Sequence, residues 1–250
     1  MDKENHINSC EYVESVSQQF IELGGVFTSL PAQVVVKLRK IRGIIFDWDG
    51  VFNDGSKGEG FSSFFNEADS MGTNMLRYGL WRENGRLPIT AVISGEKNRT
   101  AIQFALREHF DNVYLGVTNK QLAVKHLCVM HNLEPGRIAS FFDDINDLDM
   151  AKVCGLRFLI NRPASPLIKK YILENALCDY ITGNDPRNYA VREVSELLLG
   201  LLDIFETVVA SRVNYDQTYQ EYFSQRQAVS THCYTQEHNK IVATKDIKKS

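Results

Sequence analysis

The chain has 250 residues, a formal net charge of −3 at pH 7, 44% hydrophobic residues and 24% charged residues. This is the composition of an ordinary globular protein that can bury a sizeable core in one domain. No block of basic residues is present, so the composition argues against a nucleic-acid partner.

Five scattered cysteines lack metal-ligand spacing, and the first residues are unlike a signal peptide. The most apolar stretch, residues 197–205, is too short to span a bilayer. We therefore expect a cytoplasmic protein with reduced thiols and no membrane partner.

Residues 1–40 are predicted to form an N-terminal helical extension. Apolar residues three or four positions apart, from Tyr12 to Leu23, indicate one amphipathic helix that ends at Gly24-Gly25. Residues 41–46 form a short apolar run typical of a buried strand. The following segment, 51–65, is rich in glycine and aromatic residues and is predicted to form a β-hairpin flap.

Strand and helix signals then alternate through the main domain, predicted to cover residues 41–210. Strands are predicted at 87–93, 113–115, 138–142 and 156–160, and helices at 97–109, 121–132, 148–153, 165–175 and 191–209. Such alternation predicts a parallel sheet covered by helices on both faces. Residues 211–250 are predicted to be a helix end and a polar tail, loose from about Arg226.

Polar residues follow four of the predicted strands, where ligands bind in an open parallel sheet. They are Asp47 and Asp49, then Ser94, then Lys120, then Asp143, Asp144 and Asp147. Each feature has an ordinary interpretation by itself, as a chance Asp-x-Asp, a helix cap or a solvated lysine. Together, at successive strand ends, they predict one site.

These residue types suit phosphoryl transfer, which needs a nucleophile, a cation and an acid for the leaving oxygen. Asp47 and Asp49 can supply nucleophile and acid, and Asp47 can also bind a metal. Mg²⁺ prefers oxygen ligands, and Asp143 offers a further carboxylate. Lys120 can pair with the nucleophile and the phosphate, and the Ser94 hydroxyl can hold another phosphate oxygen.

The segment IIFDWDGV at 44–51 resembles the first motif of haloacid dehalogenase-type phosphatases. Ser94, Lys120 and FDDIND at 142–147 stand where that superfamily has its second, third and fourth motifs. The resemblance implies a Rossmannoid three-layer sandwich, a Mg²⁺ cofactor and an aspartyl-phosphate intermediate on Asp47.

The same resemblance implies the roles of the other acids. Asp49 would be the general acid/base, with its backbone carbonyl on the metal, and Asp143 would complete the metal site. Asp147 would orient a water on the metal or Lys120, and Asp144 would have a supporting role.

The interval of 45 residues between Asp49 and Ser94 is tight for a cap domain, and the interval of 23 residues between Lys120 and Asp143 leaves no room for the other type of cap. Asp54-Gly55, FNEADSMG at 65–72 and AVRE at 190–193 look like the sugar-acid phosphatase branch, which includes 3-deoxy-D-manno-octulosonate 8-phosphate phosphatase. Members of this branch are tetramers in which neighbouring subunits close the site, so a homotetramer is expected. The aromatic rings of the flap, Phe52, Phe61, Phe64 and Phe65, are expected to pack between copies, or alternatively to fold back onto their own sheet.

The expected substrate is a phosphorylated sugar acid, either 3-deoxy-octulosonate 8-phosphate-like or a nine-carbon sugar acid 9-phosphate. Gly95, Glu96, Lys97 and Arg192 are the candidate substrate-binding residues, since lysine or arginine can pair with the carboxylate of the sugar. Glu96-Lys97 stands where octulosonate phosphatases usually have arginine, and is closer to the nine-carbon type. In the fourth motif, Phe142 replaces the usual glycine.

Other functions remain open at this stage. A phosphomutase generally needs a cap, and a dehalogenase lacks the second aspartate of the first motif. A receiver-like signalling module or a catalytically inactive phosphate-binding scaffold would use a similar set of groups. A different hydrolase of the same superfamily, acting on another phosphorylated metabolite, is a further alternative.

Overall fold

A computed structural model of the chain describes residues 10–58 and 63–244. The strands are Val26–Phe27 (β1), Gly43–Phe46 (β2), Ile89–Ile93 (β3), Asn112–Leu115 (β4), Ile138–Phe142 (β5), Leu156–Leu159 (β6), Tyr180–Ile181 (β7), His232–Glu237 (β8) and Lys240–Ala243 (β9). The α-helices are Cys10–Glu22 (α1), Pro31–Leu38 (α2), Glu67–Asn84 (α3), Arg99–Glu108 (α4), Lys120–His131 (α5), Leu148–Ala151 (α6), Pro166–Glu174 (α7), Ala190–Leu201 (α8), Phe205–Asn214 (α9) and Gln217–Gln227 (α10).

The described strands form one sheet in the order β1-β7-β6-β5-β2-β3-β4-β8-β9. Strand β2 lies at its centre and pairs in parallel with β3 and β5. Because side chains alternate along a strand, Ile44 and Phe46 enter the core under α2, α3, α4 and α8, whereas Ile45 enters the core under α5, α6 and α7. The predicted α/β sandwich with a central parallel sheet is confirmed.

No cap domain interrupts this sheet in the described residues. The interval between β2 and β3 contains α3, and the interval between β4 and β5 contains α5 and a short 3₁₀ turn, Pro135–Arg137. The described part of segment 51–65 carries one isolated bridge, between Asp49 and Asn53. Residues 59–62 lie outside the described residues, so the hairpin flap stays a prediction.

The N-terminal segment packs against the sheet and its helices. In α1, the predicted amphipathic helix, Val13 and Val16 are buried, and β1 extends the sheet by pairing antiparallel with β7. Asp179 ties this segment down, because its carboxylate accepts from Lys37 at 2.5 Å and from the Ser29 hydroxyl at 2.7 Å. The domain boundary at residue 40 stays a prediction.

The C-terminal segment differs from the prediction in two places. The single helix predicted at 191–209 is broken into α8 and α9 at Asp203, whose φ of 59° is left-handed. The prediction of a loose tail after Arg226 is wrong for the described residues, since β8 pairs in parallel with β4, and β9 forms a hairpin with β8. An edge strand satisfies its backbone by pairing with the sheet, so a polar sequence with little periodicity is ordered there.

The aromatic rings after the first motif also depart from the expectation. Phe52 is buried and packs against Phe46, Trp48 and Phe104, and Phe65 contacts Trp48 and Phe104. These two rings therefore belong to the core of their own subunit. Phe64 is exposed, and Phe61 lies outside the described residues. None of the described helices has the length and apolar content needed to cross a bilayer.

Candidate active site

The carboxyl ends of four parallel strands bring the predicted residues together. Asp47 follows β2, Ser94 follows β3, Lys120 opens α5 after β4, and Asp143 follows β5. All four are at most 5% exposed. Asp147, at the end of the 3₁₀ turn Ile145–Asp147, is buried beside them. Carboxylate oxygens of Asp47, Asp143 and Asp147 lie within 4.8 Å of one another.

The Lys120 ammonium joins two of these carboxylates. Its Nζ donates to Oδ1 of Asp47 and to Oδ1 of Asp147. The other oxygen of Asp147 accepts from the backbone N–H groups of Asp143 and Asp144, each at 3.3 Å. Asp144 caps the turn by accepting from the Ile145 N–H at 2.7 Å. Asp147 thus holds both Lys120 and the loop that carries Asp143.

Burial, together with crowding of negative charge, raises the pKa values of two carboxyl groups in this cluster. Burial, followed by repulsion from Asp147, raises the pKa of Asp47 to about 7, although Lys120 acts in the opposite direction. Burial, with repulsion from Asp47 and Asp147, raises the pKa of Asp143 to about 9. Burial would lower the pKa of Lys120, but Asp47 and Asp147 outweigh it and raise that pKa. The lysine therefore remains an ammonium, and together with the Arg162 guanidinium, which pairs with Asp143, it sets two positive charges against three carboxylates.

This deficit fits a divalent cation. Mg²⁺ prefers oxygen ligands, and three buried carboxylates place oxygens close together here. A cation among them would offset the repulsion that raises the pKa values of Asp47 and Asp143. Asp147 belongs to this group of potential ligands, whereas the sequence placed Asp49 there through its backbone carbonyl.

The Asp49 side chain lies apart from the carboxylate cluster. Its Oδ2 accepts from Nδ2 of Asn98 at 2.8 Å and lies 3.5 Å from the Lys57 ammonium. Within residues 10–58 and 63–244, its Oδ1 is buried without a hydrogen-bond partner. The carboxylates of the two acids in the first motif therefore have different partners, Lys120 for Asp47 and Asn98 for Asp49.

Gly50 allows the loop after β2 to pass close to this cluster. Its φ of 89° is left-handed, and a Cβ there would collide with the Asp143 carboxylate and the Arg162 guanidinium. Any other residue would meet both backbone strain and a clash. The glycine after Asp49 is thus required by close packing of the site.

Sequence reasoning missed two residues at the site. Arg162 forms an ion pair with Asp143; it stands just after the predicted strand 156–160, and the rule that ligands bind at strand ends could have found it. Asn98 contacts both Asp49 and Ser94. In the sequence, Asn98 is indistinguishable from an ordinary helix cap, so no signal pointed to it.

The predicted substrate-binding residues fall into two places. Gly95, Glu96 and Lys97 are exposed at the rim of the site, and a Glu96 oxygen lies 3.5 Å from the Lys57 ammonium. Arg192 lies at the start of α8, where its Nε pairs with Glu196 at 2.5 Å and its backbone N–H donates to Asp69 at 2.8 Å. The described contacts of Arg192 therefore lead to α3 and its own helix rather than to the carboxylate cluster.

Phe142, which replaces the usual glycine of the fourth motif, is the last residue of β5. Its side chain is buried in the same core as Ile45, and its carbonyl accepts from the Ile160 N–H at 2.7 Å. The strand stays regular up to Asp143, so the aromatic residue leaves the placement of this acid unchanged.

Comparison with known proteins relates the chain to one group of enzymes. No family model matches it. It is 28% identical over 189 residues to the 3-deoxy-D-manno-octulosonate 8-phosphate phosphatase KdsC of Escherichia coli (strain K12), covering 74% of this chain and 93% of that protein.

Solved structures of the same kind of enzyme share the fold. The phosphatase from Moraxella catarrhalis, in complex with magnesium, phosphate and KDO, has a TM-score of 0.60 and 25% identity, covering 72% of this chain and 97% of that one. The phosphatase from Yersinia pestis has a TM-score of 0.57 and 26% identity, covering 69% and 88%. The motifs, the sheet and these likenesses agree: the chain resembles the phosphatases of the haloacid dehalogenase superfamily, and its capless fold is similar to that of 3-deoxy-D-manno-octulosonate 8-phosphate phosphatase.

Proposed function

We propose that the protein is a Mg²⁺-dependent phosphatase that hydrolyses the phosphomonoester of a sugar acid through an aspartyl-phosphate intermediate on Asp47. The observation that carries this proposal is the buried cluster of Asp47, Asp143 and Asp147 around Lys120 at the strand ends. Asp49 stands beside this cluster with one unpaired carboxylate oxygen. Nucleophile, counter-charge and acid are then all within one site.

The reaction has two steps, each with a role for residues of this chain. First, a carboxylate oxygen of Asp47 forms a bond to phosphorus while the ester oxygen leaves, and Asp49 gives that oxygen its proton. Second, Asp49 takes a proton from water, which attacks phosphorus and releases the Asp47 carboxylate and inorganic phosphate. Lys120 holds Asp47 in place, and the Ser94 hydroxyl contacts the phosphate.

We assign the metal to Asp47 and Asp143, with the Asp49 backbone carbonyl as a third protein ligand. When bound, Mg²⁺ neutralises charge on the transferring phosphoryl group. Asp147 supports this site because its carboxylate accepts from Lys120 and from the backbone N–H groups of Asp143 and Asp144. The magnesium in the Moraxella catarrhalis enzyme supports the choice of metal.

The relatives, which are octulosonate 8-phosphate phosphatases, support a sugar-acid phosphate as the substrate class. A screen of phosphorylated metabolites with Mg²⁺, measuring phosphate release, tests the proposal. It should include 3-deoxy-octulosonate 8-phosphate and nine-carbon sugar acid 9-phosphates, with non-acidic sugar phosphates as controls. We expect the best turnover on a sugar acid. Preference for a non-acidic phosphate would indicate another hydrolase of the superfamily, and phosphorylation without turnover would indicate a receiver-like module.

We expect Glu96 and Lys97, at the rim of the site, to select the substrate. Glu96→Gln and Lys97→Met should each raise KM for the sugar-acid phosphate by roughly tenfold or more, since each removes a charge-assisted contact. Arg192→Met tests the third candidate, whose guanidinium pairs with Glu196. KM for p-nitrophenyl phosphate should change little. Lys152→Met, at an exposed lysine after α6, is the matched control. Equal losses on both substrates would point to structural damage instead.

Mg²⁺ affinity should rise with pH. Metal ligands must be ionised, and the pKa values of about 7 for Asp47 and about 9 for Asp143 mean that protons compete with the metal below those values. Binding should release protons and tighten by up to about tenfold per pH unit for each proton released. Calorimetry in two buffers of different ionisation enthalpy measures this. Affinity that is constant between about pH 6 and pH 9 would contradict the assignment.

We also propose a homotetramer in which neighbouring subunits cover the site, because a phosphoryl-transfer site works best when water is excluded and no cap is found in the described residues. The Phe64 side chain is 70% exposed and offers apolar surface to a neighbouring subunit. Light scattering at micromolar concentration should give four times the 28.5 kDa mass of one chain. A fully active monomer would overturn the proposal. A cytoplasmic location stays a prediction.

A further inference from the structure

We propose that Asn98 is a positioning residue that aims the Asp49 carboxyl group at the leaving oxygen; this rests on the proposed function. The Asn98 amide Nδ2 donates to Oδ2 of Asp49 at 2.8 Å and to Oγ of Ser94 at 3.1 Å. An amide nitrogen carries two hydrogens, so it can make both bonds at once. One side chain thereby links the proposed acid to the proposed phosphate-binding hydroxyl.

The geometry at Asp49 gives the two carboxylate oxygens different tasks. Oδ2 is occupied by the Asn98 amide, whereas Oδ1 is buried and has no hydrogen-bond partner within the described residues. When Asp49 is protonated, a proton on Oδ2 would compete with the Asn98 amide for that oxygen. The proton to be transferred therefore belongs on Oδ1. Asn98 therefore selects both the direction of the side chain and the oxygen that reaches the substrate.

The position of Asn98 in the chain supports this role. It is the N-cap residue of α4, yet its side chain makes no capping hydrogen bond. Two other asparagine N-caps of this protein do cap their helices: Asn66 accepts from the Asp69 N–H at 2.7 Å, and Asn119 accepts from the Leu122 N–H at 3.3 Å. Asparagine is favoured at N-caps because of that bond. At α4 the Asn98 side chain instead donates to Asp49 and Ser94.

Lys57, a cationic side chain near Asp49, is a weaker candidate for this role. Lys57 lies 3.5 Å from Oδ2, its side chain is 56% exposed, and it is equally close to Glu96. A long exposed lysine that is shared between two carboxylates holds neither in one orientation. Asn98 is half-buried, shorter and anchored at the start of a helix, so it sets the geometry.

The test compares two esters of similar size with different leaving groups. Phenyl phosphate releases a basic phenolate that needs a proton, whereas p-nitrophenyl phosphate releases an anion that leaves without one. Asn98→Ser removes the amide but keeps a residue favoured at N-caps. We expect the single-turnover rate of phospho-enzyme formation from phenyl phosphate to fall about tenfold more than the same rate from p-nitrophenyl phosphate, because only this first step depends on the leaving group.

A second comparison separates positioning from structural damage. In an Asp49→Asn background, Asn98→Ser should cause no further loss on phenyl phosphate, because the group that it positions is already absent. The midpoint of thermal unfolding of Asn98→Ser should stay near that of the parent. Equal losses on both esters, or additive losses in the double variant, would overturn the role of Asn98 alone. A parent protein that forms no phospho-enzyme from either ester or from any sugar-acid phosphate would overturn the proposed function itself, and this inference with it.

Discussion

Replacement of Asp47 by asparagine is expected to reduce phosphatase activity by roughly four orders of magnitude or more, the usual effect of removing a nucleophile. An amide has the shape of the carboxylate but cannot attack phosphorus. The fold should persist, since the amide oxygen can still accept from Lys120, which also keeps its contact with Asp147. Single-turnover reactions quenched in acid should trap a phospho-enzyme with the parent protein and none with the variant.

Two controls make this result specific. Asp185→Asn is the same substitution at an aspartate outside the carboxylate cluster, where the side chain accepts from the Arg187 N–H at 2.8 Å and an asparagine oxygen can do so too. Its activity should remain that of the parent. Thermal unfolding of Asp47→Asn should show a folded protein. Turnover close to that of the parent in a folded Asp47→Asn variant would eliminate Asp47 as the nucleophile.

Removal of Mg²⁺ with a chelator is expected to lower activity by on the order of 100-fold or more, because the charge of the transferring phosphoryl group is then not neutralised. Excess Mg²⁺ should restore it. Ca²⁺ should not, since it takes more oxygen ligands at longer distances and would engage Asp47 through both carboxylate oxygens, which blocks attack. Steady-state assays with each metal, and with Ca²⁺ added to the Mg²⁺ form, measure both effects.

Asp143 provides the matched variant for the metal prediction. Asp143→Asn removes one charge from the cluster without touching the nucleophile, so the concentration of Mg²⁺ needed for half-maximal activity should rise strongly. Asp149→Asn is the same substitution six residues further on, at a carboxylate that accepts from the Gln121 N–H. It should leave the Mg²⁺ concentration for half-maximal activity unchanged. Full activity in excess chelator would rule out the metal site at Asp47 and Asp143.

The core of the candidate site could be predicted from the sequence because it depends on local rules. Short apolar runs mark the central strands, and in a parallel sheet the residues that follow them meet at one edge. Asp47, Ser94, Lys120 and Asp143 each follow such a run, so their meeting required only the correct order of elements. The absence of a cap domain could likewise be predicted from the short intervals between these motifs.

Contacts between distant parts of the chain were decided by the tertiary structure alone. The sequence around Asn98 reads as a helix cap, and its bond to Asp49 exists only because β2 and β3 are neighbours. The polar segment after Arg226 lacks a periodic pattern, but the free edge of β4 orders it by backbone pairing.

The sequence by itself therefore determined the class of chemistry, the central strands and the acids at their ends, because residue type and spacing act locally. The tertiary structure decided where Phe52 and Phe65 pack, how Asp49 is held, and that Arg162 pairs with Asp143. Each of these depends on which surfaces lie opposite one another after folding. Packing partners and hydrogen-bond partners far apart in the chain are chosen by burial and geometry, and no local pattern encodes them.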